Sequence, residues 1–308
     1  MIRRLAEFLT ILLAASGLAH GNSEVPTTTA PERTFDFIYR AEVGPIEAGL
    51  GPVHVFIPLP RESAHQTVHS REVHASIPGS AQREDRYGNL FWHGTIAEST
   101  GEAIGIEIRS RITRHVDRVD GSAPGGDIPA LSPETPEREL FLMPNQRVIV
   151  GHSILKPILE EIGANLERGD RSSFARALYD WTVDNVEYKK VGSGWGNGDS
   201  FWACSKRYGN CTDFHSLFIS LARTEGIPAR FEMGFPVPVD RESGRVEGYH
   251  CWVEFHLDGV GWFPIDASEA SKHPDRRDFF YGAHPADRIH FTTGRDLRLG
   301  EDHRDQPL

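Results

Sequence analysis

Cysteine is scarce in this chain, with three residues among 308, too few for the disulfide framework of a small stapled domain. Long apolar runs are missing as well. The N-terminal apolar stretch, Phe8 to Ala15, is too short and too weakly flanked for a stable membrane span. Basic residues are outnumbered, 33 Lys and Arg against 44 Asp and Glu, and the net charge of −11 with scattered cations gives no footprint for nucleic acid. No Gly-Lys-Ser/Thr follows the glycine-rich run that starts at Val191, which excludes a phosphate-binding loop. His54, His65, His69 and His74 lack a metal-ligand spacing with partners, so they read as solvated or strand-face residues; no metal and no cofactor is expected.

What is present begins with a leader. Arg3 and Arg4, the apolar stretch, and small residues at Gly17, Ala19 and Gly21 have the layout of a signal peptide over residues 1–21. Glu7 is an acidic blemish in it and leaves an amphipathic N-terminal helix as the alternative. The mature chain is expected to be exported, periplasmic or secreted, and to meet a membrane only through export. No cysteine lies near the cleavage point, so lipid attachment there is excluded. The remainder is long enough for two domains with separate cores, and its 39% apolar content fits a solvated, loop-rich exterior.

Short β-rich runs occupy residues 33–120: Thr34 to Tyr39, Val53 to Ile57, Asn89 to His93 and Ala103 to Ile112, separated by turn residues. They predict a β-sandwich-like domain. Residues 121–150, rich in proline and glycine, read as a linker. Two helices are expected next, near His152 to Leu166, where Pro157 forces a kink or a later start, and from Ser172 to Glu187. The glycine run at 191–199 reads as a mobile wall of a cleft, and residues 299–308 as a loose tail.

The chemistry concentrates around Cys211. Asn210 is a favoured N-cap and Asp213 supplies the reciprocal acidic position, so Cys211 falls at the first helical residue. There the unpaired amides and the positive dipole end stabilise a thiolate. Phe214, Leu217, Phe218, Leu221 and Ala222 form one buried stripe, and Gly226 and Pro228 end the helix. His215, one turn further in, is the local rival for the role of base, but a side chain there aims along the packed stripe. Asn210-Cys-Thr also matches a glycosylation acceptor pattern, which a sugar on the cap would make incompatible with a working site.

Downstream, Tyr249, Cys251, Val253, Phe255 and Leu257 alternate with His250, Trp252, Glu254 and His256. His250 therefore shares a face with polar and aromatic residues suited to a cleft. A two-residue turn at Asp258-Gly259 would put Asp266 on the wrong face, whereas a three-residue loop pairs Leu257 with Gly261 and sets Asp266 diagonal to His250. The longer loop is expected. Cys204 and Cys251 could form a bridge, although alternation points Cys251 away from the face of His250; otherwise both are small buried residues.

Gly209-Asn-Cys-Thr-Asp-Phe with Gly226-Ile-Pro-Ala-Arg, Tyr249-His-Cys-Trp-Val-Glu and Gly261-Trp-Phe-Pro-Ile-Asp follow in order, His250 lying 39 positions after Cys211 and Asp266 a further 16 on. In these motifs the segment from Ser172 to Asp296 resembles the transglutaminase-like superfamily of cysteine enzymes, related in architecture to papain-like proteases, in a bacterial exported form. The resemblance implies an α+β fold for residues 151–298, a cysteine helix packed on an antiparallel sheet. It further implies Cys211 as nucleophile, His250 as general base and acid, and Asp266 as the residue that fixes the imidazole tautomer. The Cys211 amide would serve an oxyanion site, with Trp202 or Tyr208 as a second donor and Trp252 as a further substrate-side candidate. The calcium dependence of the animal cross-linking members is not carried over. The expected partner is a peptide or protein substrate, and the expected reaction is amide hydrolysis through a thioester. A cross-linking transamidase, and a peptide-binding scaffold with a vestigial site, are the alternatives.

Overall fold

The computed structural model describes residues 31–119, 135–167 and 169–299. The leader lies outside the described residues, as do the linker up to residue 134 and the tail from residue 300.

The N-terminal part is built from β1 (Glu32–Val43), β2 (Val53–Pro58), β3 (Gln66–Ala75), β4 (Gly79–Arg83), β5 (Leu90–Ile96) and β6 (Ile104–His115). These form two three-stranded antiparallel sheets, ordered β1-β6-β3 and β2-β5-β4. Val55, Ile57, Trp92, Ile104, Ile106 and Ile108 meet between the sheets as one core, which makes a sandwich. Two strands were not anticipated. β3 and β4 are mostly polar and exposed, so they carry no apolar alternation to read. A short strand, β7 (Asp117–Arg118), leaves the sandwich toward the second part.

Within the span read as linker, Thr135 caps a short helix α1 (Pro136–Leu140), with proline at its start, and Phe141 and Val148 are buried. This portion is therefore packed structure. Pro157 lies at the beginning of α2 (Lys156–Gly163), after a 3-10 turn capped by His152, so it delays the helix rather than kinking it. Then come α3 (Arg171–Asn185), β8 (Glu187–Tyr188), α4 (Ser200–Lys206), β9 (Tyr208–Gly209) and α5 (Cys211–Thr224).

The four-stranded sheet of the second part is antiparallel and ordered β12-β11-β10-β14, from β10 (Ala229–Pro236), β11 (His250–Leu257), β12 (Gly261–Ile265) and β14 (Arg288–Thr293), with α6 (Ala267–Lys272) and β13 (Ala283–His284) inserted before the last strand. Helix α5 packs on it through Phe214, Leu217, Phe218 and Leu221 against Val253 and Phe255. Residues Cys211 to Arg223 are all buried, so the helix is enclosed on every side rather than along one stripe. Its polar groups are matched internally. Ser216 donates to the Thr212 carbonyl at 2.7 Å, and Arg223 donates to the Ala229 and Met143 carbonyls and to Asn145.

The sandwich closes the free edge of β14. Gln66 accepts from the His290 N–H and donates to its carbonyl, both at 2.8 Å, and Asn89 does the same to Thr293. Two side-chain amides thus stand in for a neighbouring strand and leave no open ladder. Ile112 packs with Ile289 and Phe291 across the same junction. Among the described residues no helix is long and apolar enough to cross a membrane.

Candidate active site

Cys211 is the first residue of α5, and the capping box around it is complete. Asn210 Oδ1 accepts from the Thr212 N–H at 2.9 Å, and Asp213 Oδ2 accepts from the Asn210 N–H at 3.0 Å. Asp213 has a second task. Its two oxygens also accept from the Gly196 and Gly198 amides at 2.6 and 3.1 Å, and Arg295 holds the Gly198 and Asn197 carbonyls at 2.7 and 3.1 Å. The glycine run, expected to be mobile, is instead tied to the start of α5. Gly198 has φ of +59°, a conformation open to glycine, and an added Cβ there would strike Arg295, Thr212 and Ser216.

The hairpin register decides where Asp266 lands. Leu257 pairs with Gly261 and Val253 with Ile265, the register of the three-residue loop, so Asp266 emerges beyond Ile265 on the side of His250. Asp266 caps α6. Its Oδ1 accepts from the Glu269 N–H and the Ser268 hydroxyl, each at 3.0 Å, and its Oδ2 lies 2.7 Å from His250 Nε2 and 3.3 Å from Arg288 Nη2. With Nε2 donating to the carboxylate, Nδ1 of His250 is left for the sulfur.

Cys211, His250 and Asp266 are thus assembled, with side chains that are nearly or wholly closed to solvent: residue exposures are 3%, 7% and 0%. Their electrostatics reinforce one another. A hydrogen bond from the Cys251 thiol, and then the hydrogen bond and charge of His250, hold the Cys211 thiol well below its ordinary range against the cost of burial. Burial opposes the imidazolium of His250, but the charge and hydrogen bond of Asp266 and the neighbouring Cys211 push it up to about 9. Burial likewise disfavours the Asp266 carboxylate, yet His250, His215 and Arg288 hold it well below the usual carboxylate range. At neutral pH these directions describe a thiolate beside an imidazolium.

Three neighbours were not assigned to the site from sequence. Cys251 points away from the face of His250, as alternation requires, and that direction leads to α5, where its Sγ lies 3.4 Å from His215 Nδ1 and 3.8 Å from Thr212 Oγ1. All three cysteines are free, so the Cys204–Cys251 bridge is not formed. Cys204 instead contacts the Ile154 carbonyl. His215 is fully buried, and its Nε2 lies 3.5 Å from Asp266 Oδ1, so two imidazoles flank one carboxylate. Tyr249, 45% exposed, places its hydroxyl 3.3 Å from Thr212 Oγ1 and 3.5 Å from Asn210 Nδ2, over the start of α5. Its place directly before His250 was the available signal.

The other substrate-side candidates divide. Trp202 and Tyr208 pack edge to face at 5.2 Å, both partly exposed, Tyr208 three residues before Cys211 and Trp202 beneath Gly194 of the glycine run. Trp252 is a correction. It is 1% exposed and packed among His284, His290 and Arg288 under the sheet, because the sandwich side covers the face that was expected to open on a cleft. It cannot touch a substrate.

Residues 160–267 match the family model of the transglutaminase-like superfamily. The chain is 23% identical over 291 residues to an uncharacterized protein of Haemophilus influenzae, an alignment that covers 86% of this chain and 76% of that one. Among solved structures, a candidate cysteine protease from Cytophaga hutchinsonii superposes with a TM-score of 0.58 at 18% identity, over 85% of this chain and 83% of that chain. The periplasmic domain of TgpA from Pseudomonas aeruginosa, 14% identical over 85% of this chain and 78% of its own, reaches a TM-score of 0.43, too low to carry an argument. The fold here is transglutaminase-like, preceded by a strand-rich N-terminal part.

Proposed function

We propose that this transglutaminase-like chain is a thiol-dependent enzyme that hydrolyses peptide or other amide bonds outside the cytoplasm. The observation that carries the reading is the Cys211 sulfur at the first turn of α5 beside an imidazole whose far nitrogen is held 2.7 Å from a buried carboxylate. In the mechanism, the Cys211 thiolate attacks the amide carbonyl, and the Cys211 N–H, which has no intrahelical acceptor at this position, faces the developing oxyanion. The imidazolium of His250 delivers its Nδ1 proton to the departing amine, leaving a thioester. Neutral His250 then takes a proton from water, which attacks the thioester and frees the acid and the thiolate. Asp266 keeps the proton on Nε2 throughout. Water is the default acceptor, and the N-terminal leader supports export.

The test is chemical. Cys211→Ala should remove one equivalent of fast-reacting thiol at mildly acidic as well as neutral pH. Slow labelling of Cys211 that needs denaturant would instead favour a peptide-binding scaffold. Glutaminyl peptides incubated with and without a primary amine separate hydrolysis from cross-linking transfer, since only a transamidase incorporates the amine.

A further inference from the structure

On the face of the sheet turned away from α5, acidic and imidazole side chains from separate parts of the chain converge. Asp117 and His284 are cross-strand partners in the β7–β13 pair, and Glu254 projects from β11. One ligand atom from each of these three lies within 4.8 Å of the others. His284 decides the character of the cluster. Its Nε2 is 3.0 Å from the Ile265 carbonyl oxygen, which can only accept, so Nε2 carries the ring proton and Nδ1 is a bare lone pair. That Nδ1 has no hydrogen-bond partner among the described residues although His284 is fully buried, and it faces Asp117 Oδ2 at 3.9 Å. Three acceptor groups thus meet in a dry interior, where like charges crowd at a cost.

Two guanidinium groups border the cluster, and one of them pairs with a member of it. Arg230 is held by Glu232 at 2.9 Å and donates to Glu254 from both Nε, at 2.8 Å, and Nη2, both contacts falling on the single oxygen Oε2. Arg288 bonds Asp266 through Nη2 and lies over the Trp252 ring, while its Nε and Nη1 have no hydrogen-bond partner among the described residues. Among the described residues the groups within ion-pair reach of Asp117 are two imidazoles, His284 and His65, the latter with its Nε2 3.2 Å from Asp117 Oδ1. Arg114 stands beyond that reach.

We propose that Asp117, Glu254 and His284 form a site for a divalent transition metal, with Zn2+ the best match to one imidazole nitrogen and two carboxylates, and that His65 steadies Asp117 from its other oxygen. Metal bonds of about 2.0–2.1 Å set ligand atoms about 3.4 Å apart in a tetrahedron, so the 3.9 Å between His284 and Asp117, and the other separations within 4.8 Å, contract when the metal binds. The Nε2–H bond to a backbone carbonyl is the outer support that ligating imidazoles carry. The site joins β7 of the N-terminal part to β11 and β13 of the second. Through the Ile265 carbonyl it also borders the residue before Asp266. It is a structural staple, apart from the acyl-transfer chemistry and independent of it.

The full chain carrying Cys211→Ala, which keeps that thiol out of the measurement, should retain one equivalent of Zn2+ after chelator treatment and dialysis, and its melting midpoint should rise by several degrees. Adding His284→Gln or Asp117→Asn should abolish both the retained equivalent and the shift, with circular dichroism checking the fold without metal. Co2+ offers a reading that needs no further variant: its visible spectrum should lack a thiolate charge-transfer band. No retained Zn2+ in the Cys211→Ala parent, a full equivalent in a folded His284→Gln or Asp117→Asn protein, or a thiolate band with Co2+ would each overturn the site.

Discussion

Asp266→Asn isolates the electrostatics of the proposed catalytic group with little change of shape. Asn caps helices about as well as Asp, so α6 should survive. The amide oxygen must occupy the Oδ1 position, because the Glu269 N–H and the Ser268 hydroxyl both donate there. The NH2 group then takes the Oδ2 position, 2.7 Å from His250 Nε2 and 3.3 Å from Arg288. Two donors cannot face each other, so His250 must present a lone pair at Nε2 and carry its proton on Nδ1, the wrong tautomer for a base beside the sulfur. The charge is lost as well. The rise of His250 from 6.5 to about 9 corresponds to about 3 kcal/mol of preference for the imidazolium, most of it owed to Asp266. Without the carboxylate, burial is opposed only by the hydrogen bond and charge of Cys211, so the value falls and the imidazolium fraction at pH 7.5 drops from about 97%. The signs are fixed: a raised value keeps the ion pair intact as pH climbs to about 9, and the substitution moves that alkaline limit down. Turnover should fall by roughly 10²–10⁴. The assay is an NMR titration of His250 together with the pH dependence of Cys211 alkylation and of amide hydrolysis. An unchanged alkaline limit in a folded Asp266→Asn protein would refute the reasoning.

Cys251→Ala removes the thiol that hydrogen-bonds Cys211, so alkylation of Cys211 at about pH 6 should slow several-fold while the rate above pH 9 stays the same; equal rates at both would show that the neighbouring thiol does not matter. Gln66→Ala strips the cover from His290, leaving its buried N–H unpaired and its carbonyl with only the long 3.4 Å bond from the Arg61 N–H, which should cost about 1–3 kcal/mol in urea unfolding; a loss below about 0.5 kcal/mol would mean that water replaces the side chain. Gly234→Ala drives a Cβ to 1.7 Å from the Ile289 carbonyl oxygen at the irregularity between β10 and β14, so the variant should be insoluble or unfold several kcal/mol earlier. Soluble protein with an unchanged unfolding midpoint would contradict that close approach.

The site was legible wherever local pattern fixes direction. The cap at Asn210, the termination at Gly226 and the alternation along β11 are short-range signals, and the hairpin register followed from asking which loop length brings Asp266 to His250. The same alternation placed Cys251 opposite His250 but could not say what stands on that side, since α5 is fixed by packing far along the chain. Trp252 failed for the complementary reason. A polar row reads as solvent-facing, yet here Trp252 is buried among His284, His290 and Arg288, and His256 is buried against Trp262. Strands β3 and β4 were missed because polar, exposed strands are ordered by their neighbours' hydrogen bonds and not by an apolar period.

Two imidazoles touch Asp266, and position rather than residue type separates their roles. His215 sits on the second turn of α5, wholly enclosed, with Nε2 at 3.5 Å from Oδ1 and Nδ1 directed at Cys251, a thiol that burial pushes well above its ordinary range and so keeps protonated. A proton passed to that side has no acceptor in contact with a substrate. His250 begins β11, at the end of the sheet where Tyr249 is open to solvent, and it neighbours the one sulfur whose amide is free of the helix. The Oδ2 of Asp266 serves His250 at 2.7 Å while Oδ1 accepts from Ser268 and Glu269, with His215 Nε2 3.5 Å away as a charge contact, so the carboxylate is pinned from one side and directs its stronger bond to the other. In the proposed mechanism His215 therefore acts by holding Asp266 in place, and His250 alone can exchange protons with sulfur, amine and water.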